Sequence, residues 1–411
     1  MVSENKPIKV AILNHSPDLG GAEVSILTFL RNMDRSRFDV TVILPSVGPF
    51  SKSLERIGIP IKIVHLPSGL VRLKRGKALR SFLILIASLV TLKLFWLKLC
   101  IYLKRNDFNM ILTNTVKAHL YGSIPARICS LPLIWRFHDI LSPSDFSPFL
   151  IRTISFFGKR VPAKILSVSN TTRDHLIKNG VPGEKVEVVF NGIDSELFEI
   201  GKDFNDIRKE YHLAGTVKLV GCIGRIIPQK GQKVLLRAIP GVLQRYPETF
   251  FLIIGDIFLG EEAYRNELFE IIEQNNLMEK VRLTGFREDM RDVLRSLDIV
   301  VFPSVSPEAF PLTILEAMIL KKTVIASNIG GVKEIILEGV NGVLVEPNRP
   351  EQITEKILYL FDHQAVCDRM GEKAKEWVEQ EFSLKDYVQA MEKAFREAAV
   401  QGGRVESRPH S

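Results

Sequence analysis

Short runs of β-branched and other apolar residues alternate with longer amphipathic segments along most of the chain. In the first half the runs are IKVAILN (8–14), FDVTVILP (38–45), IKIVHL (61–66), NMILTN (109–114), PLIWRFH (132–138), AKILSVS (163–169) and VEVVFN (186–191). Such alternation predicts a parallel sheet with crossover helices. Residues 191–206, NGIDSELFEIGKDFND, lose the pattern and read as a connection. It then resumes with VKLVGCIGR (217–225), TFFLIIGD (249–256), KVRLTGF (280–286), DIVVFP (298–303), KTVIAS (322–327) and GVLVEP (342–347). The expected architecture is α/β, with two facing Rossmann-like doubly wound domains over residues 1–190 and 207–383. A last helix, 384–400, is expected to pack back on the first domain, and 401–411 to form a disordered tail. A chain of 411 residues suits two cores better than one.

One segment stands apart in both pattern and charge. Of the 55 Lys and Arg residues, eleven lie between Arg56 and Asn106 with no acid among them, so the remaining 44 bases face 47 acids and the net charge of +8 is local. A nucleic-acid surface would interleave such charge with aromatic platforms or a recognisable motif; neither is present, and no nucleic acid is expected as a partner. Within the segment, RSFLILIASLVTLKLFWLKLCIYLKR (80–105) has helical spacing. Leu83, Ile86, Val90, Leu94, Leu97 and Ile101 share one face, while Lys77, Ser81, Ser88, Thr91, Lys98 and Arg105 fall on another. Its longest uncharged run, Ser81 to Leu92, is too short to span a bilayer, which needs about 20 apolar residues. Either the stripe is buried on the sheet, or residues 72–105 lie in the plane of a membrane surface with their cations on anionic headgroups. The apolar and charged fractions, 46% and 25%, are ordinary for a folded protein. The opening MVSENKPIKV enters a strand with no h-region, so no secretory signal is expected, and four cysteines without C-x-x-C spacing argue against a zinc site or a disulfide framework. A cytoplasmic location, or a peripheral one on the inner face of the membrane, is the expectation.

In open α/β sheets ligands bind beyond the carboxyl ends of the strands, so the residues after each run carry the chemistry. The first run enters HSPDLGGAE, where Gly20 and Gly21 open a helix. Glycine there admits a ligand to the backbone, and a helix N-terminus accepts a phosphate; a tight turn without ligand is the plainer alternative. The spacing is not G-x-G-x-x-G and no acid ends the second run, which disfavours a nicotinamide enzyme. PLIWRFH ends in His138-Asp139, and a histidine at that edge could bond a sugar hydroxyl, move a proton or be purely structural. In the second half, GRIIPQKG sets Arg225 and Lys230 in one loop, two cations that converge on an anion or simply face solvent. SPEAFPLTILEAM (306–318) then sets Pro311 at the first position of a helix over 311–320, with Glu308 in the loop before it and Glu316 one to two turns inside. Phe310 is a poor N-cap, so the amides of Leu312 and Thr313 lack a side-chain acceptor that an anion could replace. Phosphates would explain the cations, and a vicinal diol the carboxylates.

Extending over nearly the whole chain, these motifs resemble the retaining glycosyltransferases of family four, which have the GT-B architecture. The matching pieces are G-G-A at 20–22, H-D at 138–139, N-G-I-D at 191–194, G-R-x-x-x-x-K-G at 224–231, E-x7-E from Glu308 to Glu316, and G-G-x-x-E at 330–334. The resemblance implies that Arg225 and Lys230 hold the diphosphate of a nucleotide-sugar donor and that Glu316 bonds its ribose. It implies that Glu308 meets hydroxyls of the transferred sugar, with Ala309, Phe310, Leu312 and Thr313 lining sugar and phosphate. His138 would meet the sugar from the other domain, and Gly20 and Gly21 would let backbone approach the phosphate. His138, Glu308, Arg225 and Lys230 are the catalytic candidates. Many relatives have Gly where this chain has Pro311, which removes one N–H donor. No D-x-D occurs, so no metal and no cofactor is required, the cations stabilising the departing diphosphate. A UDP-sugar is the expected donor, with a GDP-sugar as the alternative, and a glycan or lipid-linked molecule the acceptor. The rivals are a nucleotide-sugar epimerase of GT-B fold and a non-catalytic nucleotide-sugar-binding protein at a membrane.

Overall fold

The computed structural model describes residues 6–66, 82–198, 204–257 and 260–403, with side chains from residue 90 onward in the helix that begins at Phe82. The chain divides into unit 1, residues 1–192 with 385–411, and unit 2, residues 193–384. The expected tail beyond residue 403, and residues 72–81 of the basic segment, lie outside the described residues.

Unit 1 runs β1 (Ile8–Leu13), α1 (Gly21–Asn32), β2 (Phe38–Leu44), α2 (Pro49–Arg56), β3 (Ile61–Ile63), α3 (Phe82–Arg105), β4 (Met110–Thr113), α4 (Val116–Ile128), β5 (Leu133–Phe137), α5 (Pro148–Arg160), β6 (Lys164–Ser167), α6 (Asn170–Lys178) and β7 (Val186–Val188). The seven strands form one parallel sheet in the order β3-β2-β1-β4-β5-β6-β7. Every residue of β4 and β5 is buried, as expected of central parallel strands covered by helices on both faces. That includes Arg136, whose guanidinium donates to the carbonyl of Val189 at 2.6 Å and to Oδ1 of Asn191 at 2.7 Å and lies over the Tyr387 ring.

The chain of unit 2 follows with α7 (Ile207–Glu210), β8 (Leu219–Ile223), α8 (Gln232–Leu243), β9 (Phe250–Ile254), α9 (Glu262–Gln274), β10 (Val281–Gly285), α10 (Met290–Ser296), β11 (Ile299–Phe302), α11 (Leu312–Ile319), β12 (Thr323–Ser327), α12 (Val332–Ile335), β13 (Val343–Val345), α13 (Pro350–Asp362) and α14 (Gln364–Glu381). Its six parallel strands take the order β10-β9-β8-β11-β12-β13. The last helix, α15 (Leu384–Gln401), belongs to unit 1, where the Phe395 ring meets Phe29 and Phe38 edge-on at 5.4 and 5.7 Å. Both sheets are therefore doubly wound, and each reverses strand order once: between β1 and β4, and between β8 and β11.

One local expectation is corrected, and one of the two readings of the α3 stripe, burial on the sheet, is set aside. Pro311 precedes α11 rather than opening it: its ψ of 108° is extended and the helix starts at Leu312. Proline fixes φ but not ψ, so it serves as well just outside the helix as inside. In α3 the described part of the expected stripe, Val90, Leu94, Leu97 and Ile101, is exposed. The face packed on the sheet is instead Phe95, Leu99, Cys100 and Leu103.

Candidate active site

In unit 2 the loops leaving β8 and β11 come together where the strand order reverses. The β8 loop closes at Gly231 with φ of 69°, and a Cβ there would stand 1.9 Å from the carbonyl oxygen of Pro303. Only glycine lets the two loops lie this close. The approach sets Lys230 against the β11 loop, where its Nζ donates to Oε1 of Glu308 at 2.8 Å and sits 5.0 Å from the centroid of the Phe302 ring. The Oγ of Ser304, fully buried, donates to the same carboxylate oxygen at 2.8 Å. Each partner of the ion pair is only 18% exposed, so the charges act with less screening than a surface pair.

The backbone of Glu308 is clamped from the far side. Gly331 donates its N–H to the carbonyl of Glu308 at 2.7 Å, and a Cβ on Gly331 would stand 2.0 Å from the carbonyl oxygen of Ala309. The glycines of G-G-x-x-E thus hold the loop. Phe310 is buried and its ring meets Phe382 edge-on at 5.3 Å, which anchors the loop where it enters α11. At that entry Ile314 donates to the carbonyl of Pro311, while the amides of Leu312 and Thr313 find no acceptor among the described residues. One turn further, Glu316 is half-buried and its carboxyl forms no hydrogen bond or ion pair among the described residues. Burial alone pushes its pKa from 4.5 up to about 7. Arg225 stays on the exposed side of the β8 loop, where its carbonyl accepts from Nε2 of Gln232 at 2.8 Å.

In unit 1 a second polar group gathers at the carboxyl ends of β1, β4 and β5. His138 is half-buried, and its Nε2 shares a 3.0 Å hydrogen bond with Oδ1 of Asn114. Burial, reinforced by Arg136 and then His119, holds its pKa well below 6.5. His119, fully buried, stacks between Trp135 and Phe137, and its Nδ1 bonds the Thr113 hydroxyl at 2.7 Å. His15 shares a 2.7 Å bond with Thr115, and burial lowers its pKa to about 4. Gly20 is extended, and its N–H donates to Oε2 of Glu23 at 3.0 Å; a Cβ on Gly21 would meet nothing within 4 Å.

Of the candidates, Lys230 and Glu308 touch, and Ala309, Phe310, Leu312, Thr313 and Glu316 follow Glu308 on one continuous loop and helix. His138, Gly20 and Gly21 belong to unit 1. Ser304, Asn14, Asn114 and Glu23 were not singled out from sequence; only the placing of the two asparagines directly after strands hinted at them. Among the described residues no group of three or more His, Cys, Asp or Glu is placed to hold a metal ion.

Two doubly wound Rossmann-like domains on one chain define the GT-B class of fold. Residues 203–377 match the family of glycosyl transferases group 1, and residues 19–197 match glycosyltransferase family 4. The chain belongs to the group 1 glycosyltransferases. Anabaena HepE, crystallised with UDP and glucose, superposes with a TM-score of 0.84 at 26% identity over 95% of this chain and 100% of that one. An Escherichia coli enzyme described as a UDP-Gal:alpha-D-GlcNAc-diphosphoundecaprenol alpha-1,3-galactosyltransferase is 23% identical over 89% of this chain and 91% of its own.

Proposed function

We propose that this glycosyltransferase retains anomeric configuration and moves a hexose from a UDP-sugar to a lipid-linked or glycan acceptor. The observation that carries the donor site is Glu316: a desolvated carboxyl without a partner among the described residues, one turn behind two helix amides that also lack one there and the Lys230–Glu308 loop. A ribose diol would supply the missing hydrogen-bond donors, and a diphosphate would engage the amides, Lys230 and Arg225. As the bond from the anomeric carbon to the diphosphate breaks, negative charge builds on the leaving oxygens, and those cations and amides are the groups that would stabilise it. The acceptor hydroxyl adds to the same face and passes its proton to the departing phosphate oxygen, so configuration is kept. Within unit 2, Glu308 holds hydroxyls of the transferred sugar; in unit 1, His138 is a contact for a sugar hydroxyl. The UDP in the HepE complex and the UDP-Gal of the Escherichia coli enzyme favour uridine over guanosine, and the latter's diphosphoundecaprenol substrate favours a lipid-linked acceptor. A thermal-shift screen of UDP- and GDP-sugars tests the reading: a donor at about 100 times its Kd stabilises the fold by about 2.7 kcal/mol. A screen in which no nucleotide sugar raises Tm rejects it. Incubation with donor alone that yields a new nucleotide sugar would point to an epimerase.

The helix α3 supports action at the inner membrane surface. No described helix is long and apolar enough to cross a membrane. Yet Val90, Leu94, Leu97 and Ile101 are 51, 51, 56 and 41% exposed, on the side opposite the face packed on the sheet. At about 100° per residue these four fall within a wedge of about 60°, and Lys93, Lys98, Lys104 and Arg105 flank it by about 50–70° on either side. All four cations are exposed and the helix has no acid. Apolar side chains inserted below headgroups, with lysine stems reaching up to anionic lipid, is the arrangement such a helix fits. Flotation with vesicles containing anionic lipid is expected to carry the protein upward at low salt, and Leu94→Glu with Leu97→Glu to abolish flotation while Tm stays unchanged. Wild-type protein left at the bottom at low salt removes this part of the proposal.

A further inference from the structure

The polar residues behind His138 form one directional chain whose orientation is dictated by groups that can act in only one way. The carbonyl of Ala22 can only accept, so the Asn114 atom 3.1 Å from it is the amide nitrogen, which also reaches Oδ1 of Asn14 at 3.4 Å. Oδ1 of Asn114 therefore faces His138, and the ring nitrogen 3.0 Å away must carry a proton. Asn14 is fixed in the same manner: its Nδ2 donates to the carbonyl of Ser16 at 2.8 Å and to Oε1 of Glu23 at 2.9 Å, leaving Oδ1 for Asn114. Glu23 closes the chain with its other oxygen on the Gly20 N–H. Asn14, Glu23 and Asn114 are 4, 6 and 0% exposed, so water does not compete for these bonds. All donors point toward the Glu23 carboxylate, and the only titrating member at the open end is His138.

We propose that Asn114, backed by Asn14 and Glu23, is a positioning residue that holds His138 in its Nε2–H tautomer and so presents Nδ1 as a hydrogen-bond acceptor for a substrate hydroxyl. This rests on the proposed function only in making His138 a sugar contact; the tautomer follows from the chain alone. Nδ1 makes no hydrogen bond among the described residues. The groups that face the ring, His119 and Arg136, disfavour a second proton, and Asp139 is its neighbour in sequence. Without Asn114, no hydrogen bond among the described residues selects between the two neutral tautomers, and a ring with the proton on Nδ1 would offer a donor in place of the acceptor, so that the substrate hydroxyl would have to turn and accept.

Nitrogen NMR of protein labelled at histidine, with the His138 signals assigned by their loss in His138→Gln, reads the tautomer directly without any ligand. At about pH 7.5 a protonated Nε2 and a bare Nδ1 are expected; a protonated Nδ1, or an imidazolium, overturns the proposal while leaving glycosyl transfer standing. In Asn114→Asp the new carboxylate faces Nε2–H and favours the imidazolium. The acid limb of the kcat/KM profile, taken with the donor the screen selects, is then expected to move up by at least about one pH unit. Activity is lost as pH falls through the raised value, and no such shift appears when His138→Gln is added. An unmoved limb, or the same shift with and without His138, overturns the proposal. Tm of each variant with and without donor shows that the fold and the donor site survive. Absence of turnover in the wild type would instead count against the proposed function.

Discussion

Lys230→Met is expected to lower kcat/KM on the order of 10³-fold, about 4 kcal/mol of transition-state stabilisation, and to lower Tm as well, because Glu308 is left without its counter-charge at a partly buried position. In the unliganded protein the ammonium is neutralised by Glu308, with Ser304 holding the same carboxylate oxygen from the other side. In the proposed donor site a bound diphosphate would bring at least two negative charges to this partly dry loop, and the charge on the leaving oxygens would grow as the glycosidic bond breaks. A cation already fixed by a carboxylate, a ring face and a glycine turn stabilises that growth without having to reorganise. Methionine keeps the stem packed and removes the charge, so what is lost is electrostatic. Arg225→Ala removes a cation from the exposed side of the same loop and is also expected to cost transfer, but its effect should shrink in high salt more than that of Lys230→Met, because the arginine is screened. Steady-state rates at two ionic strengths separate the two. Transfer by Lys230→Met within tenfold of wild type would show that the diphosphate does not leave through this site.

The fold was legible because central parallel strands such as β4, β5 and β9 are buried on both faces and read as continuous apolar runs, while edge strands such as β3 and β10 keep polar positions; each of the thirteen runs coincides with a strand among the described residues. The strands stop one to three residues before several runs do, as at Phe137 before His138 and Ile223 before Arg225, because the chain leaves the sheet there to splay polar groups at the ligand edge. Lys230 and Glu308 were legible as chemistry, but their contact was not, since it depends on the approach of Gly231 to Pro303 across two loops. The chain from His138 to Glu23 was beyond reach for a related reason. Asn14 and Asn114 lie 100 residues apart and become informative only when β1 and β4 pair. The choice of buried face in α3 could not be read either: a helix apolar on two sides satisfies helical periodicity whichever side meets the sheet.

Glu316→Gln is expected to stabilise the fold at about pH 8, leave it unchanged near pH 4, and weaken UDP binding by tenfold to about a hundredfold. The carboxyl titrates at about 7 in the folded chain against an ordinary 4.5, with burial as the cause. A raised acid pKa means that the folded state holds its proton longer than the unfolded state. Stability is therefore lost as pH rises from about 4.5 to about 7, and the full cost, up to about 3 kcal/mol, persists above that. Glutamine cannot ionise and is spared this cost, so urea midpoints of the variant and the wild type should separate over that interval and run parallel beyond it. Binding runs the other way. An ionised carboxylate offers acceptors to both hydroxyls of a ribose, whereas the amide offers one acceptor and a donor that the diol meets less well. Since the diol favours the ionised form, UDP binding near pH 6.5 should release protons, seen as a binding enthalpy that depends on the ionisation heat of the buffer, and Glu316→Gln should abolish that dependence. A variant that is less stable at about pH 8, or that binds UDP as tightly as the wild type, would mean that this carboxyl is held in its dry position for some purpose other than the ribose.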